Sequence, residues 1–287
     1  MLRIARLAAP TIAVLTAVIA QETKPTPPAE YQALQREFQQ AARGLYTATN
    51  DAERHAVTEA MADLSPRVFA WAESHATDPF ALEGLVQVVT QEIWLQNNTR
   101  HPGRGTGSLE ARAIGLLLAH HAASPALGEA CKRMCFGFHR ECERFLRELL
   151  AASPHREVRG QACLRLAQFL IGRLRRLDLL RAQPGLAVRY EGLFGTAYLQ
   201  QLAQQDRAAV VQEAESLFAR AAAEFPEIRM TYGELVGATA RAELHALRNL
   251  AIGKQAPELA GTAQDGRLLR LSDQRGKVVL LYFWSQH

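Results

Sequence analysis

Four cysteines, Cys131, Cys135, Cys142 and Cys163, are the residues of this 287-residue sequence best equipped for covalent or metal chemistry. A thiolate is a nucleophile and a soft metal ligand, and an even cysteine count permits disulfides in an oxidising compartment. Cys131 and Cys135 stand four residues apart on a helical stripe with Leu127 and Met134, near the ~6 Å upper part of the Cα separation a disulfide spans. Cys135, His139 and Cys142, with Cys131 as a fourth group, offer sulfur and imidazole in a mixture that zinc or copper accepts. Against a metal, the spacing is not the two-residue knuckle of structural zinc sites, and Gly137 interrupts the segment. Each cysteine also shares a stripe with apolar residues: Cys142 with Phe145, Leu146, Leu149 and Leu150, and Cys163 with Leu166, Ala167 and Leu170. Cysteine in that setting behaves as a small buried hydrophobe. The pattern favours inert thiols over a disulfide, and a disulfide over a metal set. No catalytic, cofactor-binding or metal-ligating residue is assigned among the four.

The remaining chemistry-bearing residues read as surface, except that one histidine of the pair at 120–121 reads as buried. His120 and His121 are adjacent, so on a helix they point about 100° apart and seldom share one ion. Glu141 and Glu143 flank Cys142 as a solvated face, and Arg173, Arg175, Arg176 and Arg181 read as the wet side of a helix rather than a site for acidic partners or lipid headgroups. No glycine-rich phosphate loop follows a strand, and neither Gly-x-Ser-x-Gly nor His-Glu-x-x-His occurs.

The elements that carry these residues are helical. Between Ala208 and Phe225, Val210, Val211, Ala214, Leu217, Phe218, Ala221, Ala222 and Phe225 recur at steps of three and four with polar residues opposite. Similar stripes run through Ala111 to His121, Cys142 to Leu150 and Val158 to Leu177. Ser65-Pro66, Asp78-Pro79, Ser124-Pro125 and Ser153-Pro154 each place a capping side chain beside a proline suited to a first helical turn. The spacing of these pairs is irregular, which leaves a non-repeating bundle or an irregular helical array. Residues 97–107 read as a long polar loop, and 183–195, with Pro184, Gly185, Gly192 and Gly195, as a second irregular stretch. Aromatic residues at 7% and a mean hydropathy of −0.12 fit a helical globular chain and argue against an all-β fold.

At the N-terminus, Arg3 and Arg6 precede an uncharged apolar run from Leu7 to Ala20, with Val18 and Ala20 as the small-residue pattern of a cleavage site. That is the pattern of a secretory signal, too short for a spanning helix of ~20 residues. The predicted location is exported, in the periplasm or cell envelope, with tethering to the membrane if the signal is retained. Without Arg3 and Arg6 the formal charge falls from +4 to +2, which gives no electrostatic footprint for nucleic acid. Residues 21–30, with three prolines, read as an extended linker.

The pattern changes at Ile252. An Asp265-Gly266 turn joins two short strand-like runs, Leu259 to Ala263 and Arg267 to Leu271, and Val278 to Trp284 (VVLLYFW) reads as a central strand covered on both faces. A central strand needs neighbours and covering helices, and three residues follow it, so the sequence reads as ending inside a second, α/β-type domain.

The motifs GKQAPEL (253–259), Asp265-Gly266, Leu271-Ser272-Asp273, RGKVV (275–279) and Phe283-Trp284, in that order, resemble the opening of the redoxin branch of the thioredoxin-like superfamily, which includes exported TlpA-like thiol-disulfide oxidoreductases and thiol peroxidases. Two helical segments, 155–164 and 240–253, resemble the region that precedes such a domain in some exported bacterial redoxins. The resemblance implies a thioredoxin-like fold whose first active cysteine would follow His287, at a helix N-terminus that stabilises its thiolate. It implies protein thiol or disulfide partners, and no cofactor or metal. The predicted organisation is thus a signal at 1–20, a linker at 21–30, an α-helical domain at 31–250 and the incomplete start of a thioredoxin-like domain at 251–287. The fold class is mainly α. Two functions remain: an exported thiol redox protein represented here without its catalytic cysteines, and an exported helical interaction module carrying a redoxin remnant. Neither involves nucleic acid or membrane insertion beyond the signal.

Overall fold

The computed structural model describes residues 26–98, 108–231 and 233–283. The signal at 1–20, most of the linker, residues 99–107 of the polar loop and the last four residues lie outside them.

The protein is mainly α, with eleven helices and a two-stranded sheet among the described residues. The helices are α1 (Ala29–Thr47), α2 (Asp51–Ser74), α3 (Pro79–Asn98), α4 (Ser108–His121), α5 (Leu127–Met134), α6 (Arg140–Ala152), α7 (Arg156–Ala182), α8 (Pro184–Phe194), α9 (Thr196–Gln204), α10 (Arg207–Glu224) and α11 (Val236–Asn249). They form a bundle. The first four pack in chain order, each against the next, while α7 lies at the centre of the rest and packs against α5, α6, α8, α10 and α11. Its position follows from its residues: Val158, Ala162, Cys163, Leu164, Leu166, Ala167, Phe169 and Leu170 are all buried in its first half, which leaves water mainly the stripe of Glu157, Gln161, Arg165 and Gln168.

Local chemistry sets most of the boundaries. Asn50 caps α2 by accepting from the Glu53 backbone N–H at 2.9 Å, and Glu53 returns a bond to the Thr49 N–H at 2.7 Å. Asp78 caps α3 through the Phe80 N–H at 2.8 Å, with Pro79 opening the helix as its type predicts. Asp206 caps α10 through the Ala208 and Ala209 N–H groups. Ser124 and Ser153 are not the expected N-caps: α5 and α7 begin after Ala126 and His155, so Pro125 and Pro154 precede the first helical turn, and each serine instead holds the turn before its helix, accepting from the Ala126 and His155 N–H groups.

Two further expectations about the helices fail. Ser65-Pro66 does not start a helix, because Pro66 lies inside α2. Proline there forfeits one backbone hydrogen bond, yet Met61, Leu64, Val68, Phe69, Trp71 and Ala72 bury one continuous stripe across it. Burial of six such side chains, each contributing about 1.5–3 kcal/mol for the larger ones, outweighs the loss. The second is the irregular stretch at 183–195, which is helix α8. Pro184 sits in its first turn, and Gly195, at φ +83°, ends it and begins α9. Tyr190 and Leu193 bury into a secondary core with Phe138, Leu174, Leu177, Tyr198 and Leu202. The Phe138 and Tyr190 rings meet edge to face at 5.2 Å, and the Tyr198 hydroxyl donates to the Phe138 carbonyl at 2.9 Å. Tertiary packing thus overrides the two glycines.

Beyond α11 the hairpin forms as the turn residues dictate. Strands β1 (Ala260–Thr262) and β2 (Leu268–Arg270) pair antiparallel with Gly261 opposite Leu269, and Gly266 supplies the positive φ of the turn. A short 3₁₀ helix, Leu271–Gln274, follows. The strand expected at Val278 to Trp284 is not formed over its described part: residues 278–283 have no regular secondary structure and pair with no strand among the described residues. A strand exists only through its ladder, and this run has no neighbour to supply one. Val278, Leu280, Tyr282 and Phe283 are accordingly 80% exposed or more.

Candidate functional site

All four cysteines are free and buried, on the apolar faces their spacing predicted. Cys131 and Cys135 sit at the end of α5, Cys142 in the first turn of α6 and Cys163 in α7. The break at Gly137 is real, since α5 stops at Met134 and α6 starts at Arg140. Burial raises every thiol pKa. Cys135 and Cys163 are each pushed up to about 11, and Cys131 and Cys142 move further in the same direction. The Arg165 guanidinium draws Cys131 and Cys135 back down, but desolvation outweighs it. Three of the thiols act as donors: Cys135 to the Lys132 carbonyl at 3.2 Å, Cys163 to the Leu217 carbonyl at 3.3 Å and Cys142 to a Glu110 carboxylate oxygen at 2.9 Å. A protonated, donating, water-excluded thiol is a poor nucleophile.

His139 is a capping residue. Its Nδ1 accepts from the Glu141 N–H at 3.2 Å at the start of α6, and burial lowers its pKa, so the neutral ring that the cap requires is favoured. Among the described residues no three His, Cys, Asp or Glu side chains gather to hold a metal ion. His120 is exposed while His121 is buried, its Nε2 without a partner and its pKa lowered by burial.

The charged residues read as surface need correction at two positions. Arg173 is only 6% exposed and pairs with the half-buried Glu143. Glu143 also accepts from Arg147 at 2.7 Å, and the two guanidiniums hold its carboxyl below the usual carboxylate range against the opposing effect of burial. The period of α7 puts Arg173 toward α6 rather than water, and its partner lies 30 residues earlier, which spacing alone does not reveal. Arg175 and Arg181 are exposed as expected, and Arg176 is half-buried, donating to Asn97 at 2.6 Å.

One polar cluster escaped the sequence reading. Glu110 of α4 is fully buried; it accepts from the Cys142 thiol on one oxygen and from Gln96 Nε2, at 2.6 Å, on the other. Glu92 of α3, 6% exposed, lies near enough for the two carboxyls to repel. Burial pushes Glu92 up to about 7, with the Glu110 charge adding to it, and raises Glu110 as well. These groups tie α3, α4 and α6 together through neutral donors, with no cation among the causes that shift either acid. Such a pair can store a proton. The only signal in the sequence was an acid at 92 and another at 110 on otherwise apolar faces, and neither helix shows that the two converge.

The C-terminal motifs are joined to one another. The Glu258 carboxylate accepts from the Ser272 N–H at 3.1 Å, which caps the 3₁₀ turn and holds the acid below its usual range. The Leu271 N–H donates to the Leu259 carbonyl at 2.8 Å, and Asp265 accepts from the Arg267 N–H at 3.1 Å. GKQAPEL, Asp-Gly and Leu-Ser-Asp therefore make one small folded unit. Among the described residues no helix is long and apolar enough to cross a membrane. No protein-family model, curated protein or solved structure matches the chain.

Proposed function

We propose that this chain belongs to an exported thiol redox protein of the redoxin type, a thiol-disulfide oxidoreductase or thiol peroxidase, in which the helical bundle accompanies a thioredoxin-like domain that opens at 253. The observation that carries the reading is the mutual bonding of the motif residues: Glu258 to Ser272, Leu259 to Leu271 and the Asp265-Gly266 turn between them. Closure of the hairpin by the Asp265-Gly266 turn sets Glu258 and Leu259 beside Ser272 and Leu271, so the quoted motifs form one local unit, as the opening of such a domain requires. The bundle's thiols support the same division of labour, since their burial and raised pKa values leave them unsuited to exchange. On this reading the chemistry belongs to the thioredoxin-like domain and to none of the four cysteines of the bundle.

The test is the coding frame past His287 and the protein it encodes. Insulin-disulfide reduction and peroxide consumption are measured on the 287-residue chain, on a chain extended through the expected cysteine motif and its domain, and on the extended chain with the first added cysteine changed to serine. The expected result is turnover by the extended chain alone. Turnover by the 287-residue chain would place the chemistry on Cys131, Cys135, Cys142 or Cys163, and a frame that codes no such cysteine would leave the helical interaction module as the better reading.

A further inference from the structure

A cavity of about 520 Å³ opens between α1, α2, α3 and α5. Its walls are mostly apolar, from Phe38 and Leu45 of α1, Met61 of α2 and Trp94 of α3, and charged residues of both signs, Glu83, Glu129 and Arg133, also line it. Phe38, Leu45 and Trp94 are only half-buried. Large side chains of this type pack fully wherever a neighbour fills the space beside them, as the core around α7 does. Here the second half of α1 leans over an unfilled volume: of its 19 residues only Tyr31 and Leu34, both in the first half, are buried.

Two polar side chains one helical turn apart on α3 line the same cavity, Gln87 and Gln91. Gln91 is 2% exposed; its Nε2 donates to the Met61 carbonyl, and its Oε1 is buried with no partner. The orientation of this amide is determined by chemistry, because a backbone carbonyl can accept only from the nitrogen. The free atom of Gln91 is therefore an acceptor. Gln87 accepts from Gln35 Nε2 at 2.6 Å, and its own amide nitrogen is buried without a partner. Leaving such groups unsatisfied in an apolar wall is costly, and concave apolar sites with a few convergent polar atoms are where small molecules bind.

We propose that this cavity is a binding site for an uncharged, largely apolar small molecule bearing an N–H or O–H donor, whose apolar body lies against Phe38, Leu45, Met61 and Trp94 and whose head donates to Gln91 Oε1. An anionic head is disfavoured at Gln91, where two acceptors would face each other. A carboxamide head offers a donor and an acceptor together, so it meets Gln91 Oε1 and can also pair with Gln87 whichever end of that amide is free. The site owes nothing to the redox reading, and its test stands whether or not the extended chain turns over.

The experiment titrates the 287-residue chain with dodecanamide, dodecanoate at pH 8 and methyl dodecanoate, by calorimetry and by tryptophan emission. These probes share the chain and differ in the head: donor and acceptor, anion, and acceptor alone. The expected order places the amide about tenfold tighter than the ester, one hydrogen bond to an otherwise unsatisfied acceptor. Thr90→Phe fills the cavity from α3 at the cost of a hydroxyl bond to the Val86 carbonyl, and should abolish binding while the melt stays cooperative. Gln91→Leu should bring the amide-to-ester ratio to about one, a ratio unaffected by any loss of stability. Equal affinity for amide and ester, tighter binding of the anion, binding by none of the three, or undiminished binding by a folded Thr90→Phe protein would each overturn the proposal.

Discussion

Phe145 and Leu146 in α6 are fully buried, whereas Leu280 and Phe283, of the same residue types, are 91% and 80% exposed. The two regions differ in what surrounds an apolar run, not in how apolar it is. Around α7 each stripe meets another helix at packing distance, so every side chain withdrawn from water finds a partner and contributes its transfer free energy. In the C-terminal unit two strands of three residues and one 3₁₀ turn bond through the backbone, and among the described residues no buried hydrophobic residue lies after Ala240. Hydrogen bonds and turn geometry shape that unit. Burial does not hold it, and an isolated hairpin is at best marginally stable in water.

The sharpest way to break the contrast is thiol labelling. The four cysteines belong entirely to the packed region, so Ellman's reagent should modify them at least about 100-fold more slowly in the native protein than after denaturation, when all four react. Rapid native modification of Cys131 or Cys135 would show that the α5 end opens and would return weight to redox or metal chemistry there.

Side-chain truncation comes next in size. Phe145→Ala should cost about 3–5 kcal/mol of unfolding free energy in a urea titration, whereas Leu280→Ala, which uncovers nothing, should stay within about 0.5 kcal/mol. A large effect at Leu280 would mean that the run at 278–283 has a partner in solution.

A smaller effect tests the buried acids. Glu92 is raised to about 7 in the fold, so its stabilising protonated form is complete below the ordinary glutamate pKa and is lost as pH rises through 7. Glu92 therefore works to lower the melting temperature as pH rises from about 4.5 to 7 and adds little above that, with Glu110 acting in the same direction. Below pH 6.5 the depressed His121 and His139 work the opposite way, because the unfolded chain takes up protons that the folded one refuses. Glu92→Gln isolates the acid: its stability relative to the native sequence should improve by about 2 kcal/mol between pH 5 and pH 8. A flat difference would mean that Glu92 is solvated.

The smallest expected effect is in the hairpin. Gly266→Ala forces a side chain into a positive-φ turn at a cost of about 1 kcal/mol. It should weaken the amide signals of β1 and β2 while leaving the melt of the helices unchanged. A shift of the whole melt would show that the two regions unfold together.

Helix by helix, the repeat of apolar residues was enough to place α4, α6, α7 and α10, and Asp265-Gly266 was enough to place the hairpin, because each is decided within one or two turns of chain by periodicity, capping and positive φ. The same local information placed every cysteine on a buried face. It failed where a local signal met a distant partner. Pro66 reads as a start, but the stripe it interrupts is buried against other helices. Gly185 and Gly192 read as a loop, but Tyr190 and Leu193 have an aromatic cluster to enter. Arg173 reads as wet, but Glu143 waits across the α6–α7 interface.

The convergence of Glu92, Gln96, Glu110 and Cys142, and the unpartnered Oε1 of Gln91 beside the cavity under α1, have no counterpart in any spacing. They arise from how helices of fixed faces are set against one another. Periodicity states which side of a helix is withdrawn from water. Only the tertiary structure decides what stands opposite, and that determines whether a buried polar group is paired, protonated or left open for a ligand.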